Sequence, residues 1–191
     1  MTGSTHFAAG AALGATVGAL TGQPAAGAVL GGVAGLLADI DHPGSKLGRK
    51  IRPLAVVLEE RWGHRDSPTH TVMFCLPAGL FLGLLAGVFL GAPLLVLSGI
   101  LGAVSHLVLD AMTKSGVRPF RVWLPKLPLP DFLPGRVKGK LERWNTWAAE
   151  VEGRTGKRHY RGEVVTGQDC REHIIAAVSW MVVALMMSIS K

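Results

Sequence analysis

Four short runs of this chain carry imidazoles and carboxylates at spacings that suit a metal ion. In SHLVLD, residues 105–110, His106 and Asp110 stand at i and i+4 and project from one face of a helix. In HRDSPTH, residues 64–70, His64 and His70 lie six apart around Pro68, in a loop that can turn both rings toward one point. In ADIDH, residues 38–42, Asp39, Asp41 and His42 close an apolar run, and His6 opens the first apolar segment. Imidazole with carboxylate is a ligand set for Zn²⁺, with Mn²⁺ or Fe²⁺ as second choices. Ionisable groups at a membrane boundary are costly unless paired, and a divalent ion would offset that cost. Such an ion activates water for hydrolysis, and Asp39 or Asp41, whichever is not a ligand, would take the proton.

The elements that must position these residues are apolar. Of 191 residues 49% are hydrophobic and only 17% charged, with mean hydropathy +0.35. No Lys, Arg, Asp or Glu occurs in 1–38, 71–109 or 174–190, whereas a soluble core spreads charge along every element. Five apolar stretches follow: Phe7–Leu20, Ala25–Ala38, Thr71–Leu90, Pro93–Met112 and Ile174–Ile189. The third and fourth are long enough to cross a hydrocarbon core of ~30 Å, while the first two reach only ~21 Å and either span in a tight bundle or re-enter. The expected fold is all-α, a multi-pass transmembrane helical bundle of four to five membrane segments. Residues 1–191 form one membrane-embedded domain, with a Pro-rich and amphipathic insertion at 114–172.

Glycines recur every fourth residue at Gly10, Gly14, Gly18 and Gly22, at Gly27, Gly31 and Gly35, and at Gly79, Gly83, Gly87 and Gly91. That spacing lines one helix face with missing side chains and predicts close backbone approach. Lys46, Arg49, Lys50, Arg52, Arg61 and Arg65 fall in 39–70, thirteen more Lys and Arg in 113–172, and none in 21–24 or 91–92. The positive-inside rule places the two basic segments in the cytoplasm. His6, His42, His64, His70 and His106 then all meet one face of the bundle. The net charge of +7 reads as a topology signal, and with no base-reading motif no nucleic-acid partner is expected. The partner expected is membrane lipid.

In the insertion, RPFRVWLPKLPLPDFLPGR (118–136) holds five prolines and cannot be a helix. Phe120, Trp123 and Phe132 suit the headgroup zone, with Arg118, Arg121 and Lys126 on lipid phosphates, and the segment reads as a lid over the site or, equally, as a plain packed loop. The next run, RVKGKLERWNTWAAEVEG, reads as an amphipathic helix with Leu141, Trp144, Trp147, Ala148 and Val151 on one face. Cys75 and Cys170 have no partner at metal-site spacing and read as free thiols. Met1–His6 lacks the basic start of a secretory signal peptide.

STHFAAGAALG, ADIDHPGSKLG, HRDSPTHT and GAVSHLVLDAMTKSGV occur in this order over roughly residues 4–117. In these pieces the sequence resembles the membrane-bound, metal-dependent hydrolase family that carries the YdjM-like domain. It departs from that pattern at Asp66, where glycine is expected after the His-Arg pair, and at Thr71, where Ser is usual. The resemblance implies an α-helical, multi-pass protein of the bacterial inner membrane with hydrolase activity. Carried over by position, it points to His6, Asp39, Asp41, His42, His64, His70, His106 and Asp110 as metal-site residues. The substrate expected is an ester or phosphoester, including a lipid, at the cytoplasmic interface; the alternative is a non-catalytic metal-binding scaffold or sensor.

Overall fold

The computed structural model describes residues 1–190. Its α-helices are α1 (Gly3–Ala19), α2 (Pro24–Ala34), α3 (Arg52–Trp62), α4 (Val72–Phe89), α5 (Leu95–Ala111), α6 (Gly135–Thr155) and α7 (Cys170–Ile189). Tight 3-10 turns at Leu37–Asp41, Gly48–Ile51 and Pro68–His70 join them. Two isolated β-bridges, Thr113 with Val164 and Val117 with Tyr160, are the β pairing among the described residues.

The glycine faces are where the helices cross. A Cβ built on Gly14 would meet the Gly27 carbonyl oxygen far inside the 3.0 Å that real Cβ atoms respect, and one on Gly31 would meet the Gly10 carbonyl oxygen in the same way. Gly102 of α5 stands equally close to the Gly31 carbonyl, so α1, α2 and α5 touch backbone to backbone around Gly31. Gly79 and Gly99 repeat the arrangement between α4 and α5. Close approach of this kind lets van der Waals packing hold apolar helices together where no hydrophobic drive exists between them. The hairpin between α1 and α2 turns through Gly22, whose φ of 68° lies in the left-handed region that favours glycine.

α7 packs on the other side of α1, where Ala11, Ala12, Ala15, Ala28 and Val183 form a small-residue core. α4 closes the opposite side through Ala34, Ala38, Cys75, Ala103 and Leu107. The outer faces of α4 and α7 expose Phe81, Val88, Phe89, Trp180, Met181 and Ile189, an apolar surface suited to lipid.

Three stretches are long and apolar enough to cross a membrane: Pro24–Asp41, Val72–Phe89 and Cys170–Ile189. The four to five segments expected from the sequence are therefore corrected to three. α5 is apolar but has 17 residues, ~25 Å at 1.5 Å per residue, because the start of the fourth apolar stretch is used in the turn from α4. α1 also has 17 residues and opens on the polar Ser4, Thr5 and His6. The second stretch qualifies because the chain continues past α2 through the Leu37–Asp41 turn.

The insertion folds on itself. Residues 118–134 run along α6: Trp144 Nε1 donates to the Pro125 carbonyl at 2.9 Å, and Asn145 exchanges hydrogen bonds with the backbone of Leu127. The segment also reaches Asp66 through Arg118 and Trp62 through Trp123, but none of its residues lines the cavity beside Asp39 and His64, so it packs as a loop and not as a lid over that cavity.

Candidate metal centre

Two turns and two helix ends supply the site. The 3-10 turn after α2 carries Asp39 and Asp41, and the 3-10 turn before α4 carries His70. Pro68 sets the φ that opens the second turn, and the Ser67 side chain caps it by accepting from the Thr69 amide at 3.1 Å. α5 presents His106 and Asp110 from one face, and the first turns of α1 present His6. The glycine crossings hold these elements close enough for the side chains to meet.

His70 and His106 face each other with Nε2 atoms 3.2 Å apart. Asp110 Oδ2 lies 3.4 Å from His106 Nε2 and 3.6 Å from His70 Nε2. Asp39 Oδ1 lies 3.6 Å from His106 Nε2 and 3.9 Å from His70 Nε2. Ligands on a tetrahedral ion at 2.0–2.1 Å are separated by roughly 3.3–3.4 Å. His70, His106 and Asp110 make a triangle of that size, and Asp39 stands slightly farther out on one side of it.

The outer hydrogen bonds decide which ring nitrogens are free. His106 Nδ1 donates to the Gly35 carbonyl at 2.8 Å, which turns Nε2 toward the centre. His70 Nδ1 donates to Asp41 Oδ2 at 3.1 Å, with the same consequence. Burial pushes the His70 pKa below its ordinary value, although its hydrogen bond to Asp41 works the other way, so the ring is neutral at pH 7. Burial opposes a charge on His106, but its bond to Asp110 raises its pKa. Two Nε2 atoms and two carboxylate oxygens thus converge in a buried space where positive charge, a proton on His106 or a metal ion, is favoured. Clusters of His and carboxylate oxygens within 4.8 Å of one another include Asp39, His70 and His106, then His6, His106 and Asp110, and then Asp41, His64 and His70.

Asp41 is an orienting group in this arrangement. It is fully buried, with Oδ1 on His64 Nδ1 at 2.8 Å and Oδ2 shared by His70 and the Thr69 hydroxyl at 2.9 Å. Carboxylates that hold a ligating imidazole in this way are typically worth 10–100-fold in metal affinity. Asp41→Asn is expected to weaken metal binding by about that factor, read by competition with a chelator of known affinity. Unchanged affinity would show that Asp41 does not set the His70 tautomer.

The other oxygen of Asp110 is held by two cations and a histidine ring. Oδ1 meets the Met1 nitrogen at 2.8 Å, Arg65 Nη1 at 3.1 Å and His6 Nε2 at 3.3 Å. The His6 ring stacks on His106 with centroids 3.7 Å apart, and its Nδ1 is buried without a partner. Oδ2 is thereby left to the centre.

His64 lies at the mouth, 28% exposed, with Nε2 3.7 Å from Asp39 Oδ1. His42 is not brought in: its Nδ1 bonds Glu59 Oε1 at 2.7 Å, its side chain is 42% exposed, and it stands outside all three clusters. His159 bonds the Ser115 carbonyl, and partial burial and the nearby Arg118 and Arg161 lower its pKa. Four further residues shape the site. Arg65 and Thr69 lie inside HRDSPTH and were signalled by that motif. Glu59 holds His42, and the buried Glu172 accepts from the Thr2 amide and the Thr5 hydroxyl, fixing the start of α1. No sequence spacing marked either.

A cavity of about 450 Å³ opens beside Asp39 and His64. Ser4, Ser45, Lys46, Arg49 and Arg65 are among the residues that line it, a size and charge suited to a small anionic ligand.

Residues 1–190 match the family model described as YdjM inner membrane protein. The chain is similar to the inner membrane protein YdjM of Escherichia coli K12, 34% identical over 126 residues, covering 59% of this chain and 61% of that protein. It is also similar to the uncharacterized protein YvsG of Bacillus subtilis 168, 33% identical over 119 residues, covering 62% of this chain and 71% of that one. The match thus spans less than two thirds of the Escherichia coli relative. No solved structure matches.

Proposed function

The chain belongs to the YdjM inner membrane protein family, and from that premise and the cluster just described we propose a metal-dependent hydrolase of the inner membrane acting on an anionic ester. The observation that carries this reading is the buried triangle of His70, His106 and Asp110 beside the partly exposed Asp39, which lines a cavity together with His64, Lys46, Arg49 and Arg65.

His70, His106 and Asp110 would hold the ion, a His₂-carboxylate donor set of the kind that binds catalytic zinc. Zn²⁺ suits these donors best, with Mn²⁺ or Fe²⁺ next. When bound, the ion lowers the pKa of water toward ~7 and polarises the scissile group. Asp39, on the open side of the triangle and 13% exposed, accepts the proton. His64, held by Asp41 at 2.8 Å, passes it outward from the mouth. Arg65 and His6 fix Asp110, and Lys46 and Arg49 receive the negative group of the substrate. The basic segments at 39–70 and 113–172 support a cytoplasmic mouth under the positive-inside rule. The whole chain acts as one domain, with 114–172 inserted in it.

The test uses the purified, metal-loaded chain in detergent on phosphodiesters, phosphomonoesters, glycerophospholipids and neutral carboxyl esters. Turnover of an anionic substrate, lost in Asp39→Asn with metal retained, supports the reading. Stoichiometric metal without turnover of any class would reject it in favour of a scaffold or sensor. Lys46→Gln combined with Arg49→Gln is expected to raise KM for a phosphoester about tenfold with kcat little changed, since the two cations bind without touching the reacting atoms. An unchanged KM would remove the anionic substrate class.

A further inference from the structure

The insertion contains a second basic cleft, separate from the metal centre. Its cavity of about 520 Å³ is lined by Asp66, Arg118, Arg121, Lys126, Glu152 and the small residues of α6 facing them. A smaller one of about 260 Å³ adjoins it through Lys126 and Glu152, and is lined also by Arg61, Trp62 and Trp123.

Two of the cations already have partners. Arg118 pairs with Asp66, and Arg121 Nη2 donates to Glu152 Oε1 at 2.7 Å while its guanidinium lies 3.9 Å over the Trp123 ring. Lys126 has no ion-pair partner among the described residues, which leaves the cleft with one uncompensated positive charge. Arg121 Nε and Trp123 Nε1 are buried donors without an acceptor. Buried donors are nearly always satisfied, so two unsatisfied ones on neighbouring residues, beside an unpaired lysine, point to a missing acceptor with negative charge.

The place of the cleft in the fold says what that acceptor is. The insertion leaves at the end of α5 and returns at the start of the membrane-crossing α7. Its base is pinned by Lys114 donating to the Val164 carbonyl and by Val117 and Tyr160 exchanging hydrogen bonds, all at 3.0 Å. It therefore stands at the membrane boundary. Elsewhere on the insertion Phe120, Phe132, Trp144 and Trp147 are exposed, the residue types that settle at headgroup depth. A phosphate in that zone belongs to lipid.

We propose that this cleft binds the phosphate of an anionic phospholipid headgroup, with Lys126, Arg121 and Trp123 as donors, so that the insertion is a membrane-surface anchor. The proposal stands apart from the hydrolase reading, because neither cavity includes a residue of the metal centre.

Native mass spectrometry of the delipidated full chain in detergent, titrated with short-chain phosphatidylglycerol, phosphatidylcholine or inorganic phosphate, tests it. One phosphatidylglycerol per chain is expected, in preference to phosphatidylcholine. Lys126→Gln is expected to weaken it about tenfold. That variant breaks no ion pair, and an unchanged metal content and melting temperature without lipid will show that it folds. Equal lipid retention by Lys126→Gln and the parent chain would overturn the proposal. So would equal binding of the two lipids, or inorganic phosphate binding as tightly as phosphatidylglycerol, which would make the ligand a soluble anion.

Discussion

His106→Ala is expected to remove bound metal and hydrolysis together, while His42→Ala leaves metal content near that of the parent chain. His106 supplies Nε2 to the centre, satisfies the Gly35 carbonyl through Nδ1 and stacks on His6, so its loss takes one ligand and the packing that aligns another contact. Loss of a mere outer partner typically costs 10–100-fold in affinity, and loss of a ligand is expected to exceed ~100-fold. Metal analysis after gel filtration reads this directly. A second readout is stability: an ion present at 1,000 times its Kd stabilises the folded chain by about 4 kcal/mol, so metal should raise the melting temperature of the parent and not of the variant. His42 faces Glu59 at 2.7 Å and should not matter to either measurement. Equal losses from both substitutions would mean that the centre reaches out to His42 and that the triangle assigned above is wrong.

The contrast between these two histidines also shows what a sequence can convey. His106 and Asp110 are legible because i,i+4 spacing fixes a shared face before any tertiary structure exists. His70 is legible as a candidate because Pro68 forces a turn beside it. The resemblance at ADIDHPGSKLG brings in His42 with its neighbours, yet its partner Glu59 sits 17 residues away on α3, a helix whose orientation no local pattern encodes. Asp39 and Asp41 are two residues apart in the same 3-10 turn and chemically alike. Only the packing assigns one to the cavity and the other to the rear of His64 and His70. The number of membrane spans was misread for a related reason. Hydropathy counts apolar residues and cannot see that those opening the fourth stretch go to a turn, or that the second continues through a 3-10 turn to Asp41. The glycine periods, by contrast, carry their geometry with them, and the crossings fall within them, although Gly22 and Gly91 at the ends of two series turn the chain instead.

That geometry leads to the second large effect. Gly31→Ala is expected to destabilise the chain and to cost it metal, although residue 31 touches no ligand. Its Cβ would collide with the Gly10 carbonyl and crowd the Gly14 Cα at 3.0 Å, and the Gly31 carbonyl already bears on Gly102 of α5. Overpacking a core with one methyl group usually costs ~1–3 kcal/mol when side chains can move aside. Here the neighbours are backbone, so α1 and α2 must separate, and the upper end of that range or more is expected. Separation moves His6 with α1, and the Gly35 carbonyl and Asp39 with α2, which spoils the His106 tautomer and the ring of donors. The same substitution on the insertion gives the opposite sign. A Cβ on Gly139 in α6 meets nothing within 4 Å, and replacing glycine by alanine in an open helix gains up to ~1 kcal/mol of helix propensity. Thermal unfolding and metal content of the two variants, measured side by side, separate a helix contact from a general intolerance of change. If Gly31→Ala matched Gly139→Ala in both, the three helices would not meet at residue 31, and the positions of the donors would need another cause.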